Sequence, residues 1–285
     1  MIVITLVTAV VMVLEIVAGK LTGSMAVYSD GIHMGTHVLA LGLAAVAYIF
    51  SRKQANNRNY SFGSGKSGVL AGFTSAIILG ISACMLLFDA IERLINPKPI
   101  AYIEALLVAL LGLAVNGASA AALHLGAHHQ HQHNGDSPCE HHRDHNYRAA
   151  FIHVITDAIT SVGAIIALFA AWKWGWSWLD PSIALIASAL IAVWARSLMR
   201  DTGNILLDRE APQAAREKII NALESDGDTQ VIDLHVWSVG SGVYTLVAAV
   251  VTHFERKPDE YKELLPEGIN IYHPIIEVRH CRSCA

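Results

Sequence analysis

Ser24-Met-Ala-Val-Tyr-Ser-Asp30-Gly-Ile-His33-Met-Gly-Thr-His37 and Ala150-Phe-Ile-His153-Val-Ile-Thr-Asp157 place ionisable side chains inside two long apolar runs. Such groups are costly in hydrocarbon, so each marks a functional position by default. His33 and His37 are four apart, as are His153 and Asp157, and residues at that spacing project from one face of a helix. Two helices meeting on these faces bring together three imidazoles and one carboxylate. That donor set suits a tetrahedral divalent metal ion. Asp30 stands one turn before His33, where it either orients that ring from behind or caps the helix start. The alternative use of these residues, as hydrogen bonds between helices, accounts less well for two matching pairs in separate runs.

The rest of the chain fits this membrane setting. Of 285 residues, 53% are hydrophobic and 15% charged, against about 25% charged in an ordinary soluble domain. A helix needs about 20 apolar residues to cross a bilayer. Six runs qualify, approximately Met1–Gly19, Met25–Phe50, Val69–Leu94, Tyr102–Leu123, Tyr147–Trp174 and Trp178–Leu198. The predicted fold is therefore an all-α six-helix transmembrane bundle over residues 1–200. Arg52, Lys53, Arg58, Lys66, Arg143, Arg148, Arg196 and Arg200 crowd one set of connections, which places both termini in the cytoplasm by the positive-inside rule. Trp172, Trp174, Trp176 and Trp178 cluster at an opposite connection, as an interfacial belt does. Met1–Gly19 has neither the basic start nor the cleavage site of a secretory signal, and a short cytoplasmic leader is expected before it. The net charge of −4 leaves no basic footprint for nucleic acid.

Glu15, Glu92 and Glu104 lie toward run ends, where snorkelling to the interface is the expected role. Asn116 and Ser119 are read as packing and hydrogen-bonding residues.

Past Asp201 the pattern changes. A polar helix over Ala211–Glu224, strands over Val231–Val239 and Tyr244–His253, a short helix over Pro258–Leu265 and a strand over Ile271–His280 predict a small α+β domain over residues 201–285. Such a domain buries a modest core alone, and a second copy would help to cover it.

A histidine-rich connection, residues 124–146, follows the fourth run. Beyond His124 it carries His128, His129, His131, His133, Cys139, His141, His142 and His145. This composition reads as a flexible metal-capturing tract delivering ions to His153; the plainer reading is a solvated low-complexity loop. The terminal Cys281-Arg-Ser-Cys284 reads equally as a soft-metal site or a reduced tail.

Five stretches together resemble the cation diffusion facilitator family over essentially the whole chain. They are the Ser24–His37 stretch, Tyr60-Ser-Phe-Gly-Ser-Gly-Lys66, Asp89-Ala-Ile-Glu-Arg-Leu94, Asn146–Asp157, and Asp180-Pro181 with Asn204-Ile-Leu-Leu207. The resemblance implies a homodimeric transporter in a bacterial inner membrane. It would exchange cytoplasmic metal for protons by alternating access, with the metal as substrate and no permanent cofactor. It also implies a ferredoxin-like form for the C-terminal domain.

Some positions depart from the family pattern. Zinc exporters usually carry Asp where His37 stands, and the all-histidine pair resembles a cobalt/nickel branch. Cobalt or nickel is thus the expected cargo, with zinc close behind and a zinc-specific exporter as the alternative. Tyr60 and Ser64 replace metal-binding residues of some relatives, so no second site is expected in that loop. Ile232 and Ala249 stand where relatives place His, so a regulatory site would need His235, His253, His273, His280 or the cysteines. Two readings of other classes stay open: a membrane di-iron oxygenase or desaturase, which also uses His pairs four apart, and a metal sensor without transport.

Overall fold

The computed structural model describes residues 2–129, 158–253 and 255–281, with side chains from residue 6 onward and, in the fourth helix, as far as residue 118. Six helices come first: α1 (Ile2–Thr22), α2 (Met25–Gln54), α3 (Lys66–Ile95), α4 (Tyr102–His129), α5 (described over Ala158–Trp174) and α6 (Leu179–Leu206). Among the described residues, α2, α3 and α6 are long and apolar enough to cross a membrane, and α4 and α5 contribute shorter apolar segments. The protein is a multi-pass membrane protein.

Contacts divide the chain into two units, Met1–Gly42 with Ser75–Arg196, and Leu43–Thr74 with Ser197–Ala285. In the first unit the helices meet through small residues. Ala76, Ala83, Ala90, Ala105, Ala109 and Ala184 are buried, while Ile81, Met85, Phe88, Leu107, Ile186 and Val193 are exposed. Lipid tails are as apolar as leucine, so burying large side chains between helices gains little, whereas small ones let backbones approach. Val27, Ala105, Ala109 and Leu168 join α2, α4 and α5, and Met25, Ala90 and Ala184 join α2, α3 and α6. The four tryptophans from Trp172 to Trp178 are all exposed, as a belt requires.

In the second unit, α7 (Gln213–Leu223), β1 (Gln230–Gly240), β2 (Val243–Thr252), α8 (Pro258–Glu263) and β3 (Ile275–His280) appear in the expected α-β-β-α-β order. The sheet runs β1-β2-β3, with β1 antiparallel and β3 parallel to β2. Alternation puts Leu234 and Val236 inside, over Ile219 and Leu223 of α7 and Tyr261 of α8. Asp228 ties the end of β2 to the turn before β1: it accepts hydrogen bonds from His253 N at 2.8 Å, His253 Nδ1 at 2.7 Å and Thr252 Oγ1 at 2.8 Å. Lys66 pairs with Asp208 at 2.5 Å.

The sequence reading differs from the structure at two helix ends and at Glu15. Helix α4 continues past Leu123 to His129, so His124, His128 and His129 are helical rather than part of a loop. The Ala120-Ala-Ala-Leu123 run leading into it favours helix, and histidine does not break one. Helix α6 likewise runs past Leu198 to Leu206. Glu15 does not snorkel: it is 1% exposed. Glycines open the space it occupies. A Cβ at Gly112 of α4 would collide with Glu15 Oε1, and one at Gly31 of α2 would lie 2.8 Å from Ile16 N and 3.0 Å from Glu15 Cβ.

Candidate metal centre

Helix α2 carries the first half of the centre. His33 is 5% exposed and His37 half-buried, and their Nε2 atoms lie 3.2 Å apart with the rings at 82°. Two nitrogens bound to one ion at 2.0–2.1 Å with a tetrahedral angle stand about 3.3 Å apart. The pair thus already has the spacing of two ligands of one ion. Helical periodicity explains why: side chains four apart stand one above the other on the same face.

Around His33 the helices α2, α5 and α6 enclose a cavity of about 10 Å³, lined among others by Asp30, His33, Thr160, Ile191 and Trp194. That is about the room one water needs. Asp30 is buried one turn inside the helix, which excludes the capping role. Its Oδ2 accepts a 2.8 Å hydrogen bond from Ser161 Oγ of α5. Trp194 of α6 lies 6.2 Å from the His33 ring, centroid to centroid. Asn116 Nδ2 of α4 reaches Met34 Sδ at 3.9 Å, the packing role expected of it.

The start of α2 is held by another helix. Asp180, 0% exposed at the start of α6, accepts hydrogen bonds from Ser24 Oγ at 2.6 Å, Met25 N at 2.7 Å and Ala26 N at 3.3 Å. Those amides have no intrahelical acceptor, and a carboxylate also suits the positive end of the helix dipole. Arg93 Nη2 of α3 donates to Gly23 O beside them. The helix that carries the histidine pair is thereby anchored to α6 and α3.

His153 and Asp157, the second half of the predicted centre, lie outside the described residues, as do His131, His133, His141, His142 and His145. His128 and His129 are placed only by the backbone of α4. Among the described residues no three His, Cys, Asp or Glu side chains come together as a metal site. In the second unit His235 lies between Glu210 Oε1 at 2.9 Å and Asp233 Oδ1 at 3.3 Å, and His253 lies on Asp228. The hydrogen bond that the His235 ring donates to the Glu210 carboxylate raises the His235 pKa.

Sequence reasoning missed Asp180, Ser161 and Trp194 as parts of this neighbourhood. Asp180 beside Pro181 at a helix start was the one available signal, since both residues favour helix N-termini.

A set of apolar helices, one of them carrying His33 and His37 side by side, defines a multi-pass membrane protein. The model of the cation efflux transmembrane domain matches residues 1–207. The chain belongs to this family, the cation diffusion facilitators, which are transporters rather than enzymes. It is 33% identical over 281 residues to the zinc transporter ZitB of Escherichia coli (strain K12), covering 96% of this chain and 85% of that one. It is 30% identical over 255 residues to the cadmium, cobalt and zinc/H(+)-K(+) antiporter of Bacillus subtilis (strain 168), covering 89% and 78%. It is 28% identical over 278 residues to the metal cation efflux system protein CzcD of Cupriavidus metallidurans, covering 95% and 83%.

Proposed function

We propose that this chain exports divalent transition-metal ions from the cytoplasm in exchange for protons, binding the ion between His33, His37, His153 and Asp157. The observation that carries the reading is the His33–His37 pair, whose 3.2 Å nitrogen spacing suits two ligands of one ion. The two domains divide near residue 200, and the C-terminal one is ferredoxin-like, a reading its α-β-β-α-β order along the chain supports. The protein works as a homodimer in a bacterial inner membrane, with both termini cytoplasmic. The tract from His128 to His145 collects metal on that side.

Coupling follows from the ligands. Imidazole binds metal only when neutral and carboxylate only when ionised, so metal entry displaces protons. An imidazole with a free pKa near 6.5 can do so at cytoplasmic pH. When the helices tilt outward, protons from a more acidic exterior compete the ion off.

Cobalt and nickel are the favoured cargo because the all-histidine pair on α2 resembles a cobalt/nickel branch of the family; imidazole by itself suits zinc as well. Zinc is the second reading, favoured by relatives named as zinc transporters. The Co(II) absorption spectrum of the loaded protein tests the site. The strong visible bands of four-coordinate cobalt are expected, and they should vanish in His33→Ala/His37→Ala. A six-coordinate spectrum unaffected by the double variant would contradict the site.

A further inference from the structure

Glu15 takes no part in the ligand set above, yet it is among the most deeply buried ionisable groups in the first unit, at 1% exposure. Its Oε2 is buried with no hydrogen-bond partner among the described residues. Its Oε1 fills the place that any side chain at position 112 would take, and its Cβ rests on Gly31. The cradle is therefore made by glycines on two neighbouring helices. A carboxyl serving only as packing would be poorly chosen here, because an unpaired charge is costly in an apolar interior. A leucine of similar length would fill the space without that cost.

Among the described residues, the charged and titratable groups near the cradle are few. On α2, Asp30 and His33 flank Gly31 in sequence. The described side chains of α4, which end at residue 118, include only Tyr102 and Glu104 as titratable groups, more than two turns from Gly112. On α1 itself Lys20 is more than a turn away and lies over the Tyr28 ring.

We propose that Glu15 is a proton-binding residue of the transport cycle, distinct from the metal ligands. This rests on the export reading above. Without metal the side chain is the neutral acid. When a divalent ion arrives at the neighbouring face of α2, Glu15 gives its proton to water. The carboxylate left behind offsets one of the two positive charges that entered. Return of the proton from the other side favours release of the ion.

The test counts protons. The full-length protein in detergent and weak buffer is titrated with Zn2+; an indicator dye reads proton release, and equilibrium dialysis reads bound ions. Glu15→Gln is expected to bind as many ions while releasing about one proton fewer per ion. Glu15→Asp, which keeps the acid, is expected to release the native number. An unchanged count in Glu15→Gln overturns the proposal, and so does an equal drop in both variants, which would mark a packing role. If Glu15→Gln does not fold, infrared difference spectra of the native protein decide. Zn2+ should remove a protonated-carboxyl band that shifts in Glu15→Asp, and the absence of such a band or of its shift overturns the proposal. A native protein that binds no ion refutes the export reading instead.

Discussion

Ser24 Oγ donates a 2.6 Å hydrogen bond to Asp180 Oδ1, and through it the start of α2 is capped by a residue 156 positions away in the chain. An ordinary N-cap comes from the helix's own sequence. Here the cap is tertiary, so the helix bearing His33 and His37 cannot shift at this end without breaking from α6. Replacing Asp180 by Ala leaves two buried amides without their acceptor. Loss of a cap costs about 0.5–2 kcal/mol, and the high end is expected because this one is buried. Thermal unfolding in detergent should show a lowered midpoint for Asp180→Ala. Asp180→Asn, which keeps one acceptor, should fall between it and the native protein.

His153→Ala and Asp157→Ala each remove a proposed ligand. Loss of an outer partner of a ligand costs about 10- to 100-fold in metal affinity or activity. Loss of the ligand itself should exceed that and abolish flux, with size-exclusion behaviour unchanged. Normal transport by either variant refutes the assignment.

His37→Asp restores the carboxylate that zinc exporters usually carry at this position. Its flux should move from cobalt and nickel toward zinc, measured with each metal separately at equal activity. If native flux is already highest for zinc, the cobalt/nickel preference is discarded and the transporter reading stands.

The second unit should lose stability in acid. The backbone amide of His253, its ring and the Thr252 hydroxyl hold the Asp228 carboxyl down at about 2, against an ordinary 3.8. A lowered folded value means the contribution is fully present above the unfolded pKa. It disappears as pH falls from about 4 toward about 2. Hydrogen exchange of β2 amides, compared between native protein and Asp228→Asn at the same pH, should show greater protection in the native at pH 6 and a shrinking difference below pH 4. A constant difference across that range contradicts the assignment.

The C-terminal elements were legible to within a few residues because Leu234, Val236, Leu246, Ala248 and Val250 alternate with outward positions, and period two means strand. The face shared by His33 and His37 was legible for the same kind of reason, since local spacing sets it. What sequence did not disclose was tertiary. Asp180 caps a helix far away in the chain. Glu15 looked like an interfacial residue by position, and only Gly31 and Gly112 on other helices make it a buried one. The end of α4 was misplaced because histidine marks composition and does not stop a helix whose neighbours are alanine and leucine.

The measurement that bears most directly on the export claim is Co2+ entry into proteoliposomes holding a fluorescent chelator, with and without an imposed pH gradient. It is run on the native protein and on His33→Ala. Gradient-dependent uptake by the native protein, absent in the variant, is the predicted result. No flux of Co2+, Ni2+ or Zn2+ in folded native protein, or equal flux in His33→Ala, would contradict it.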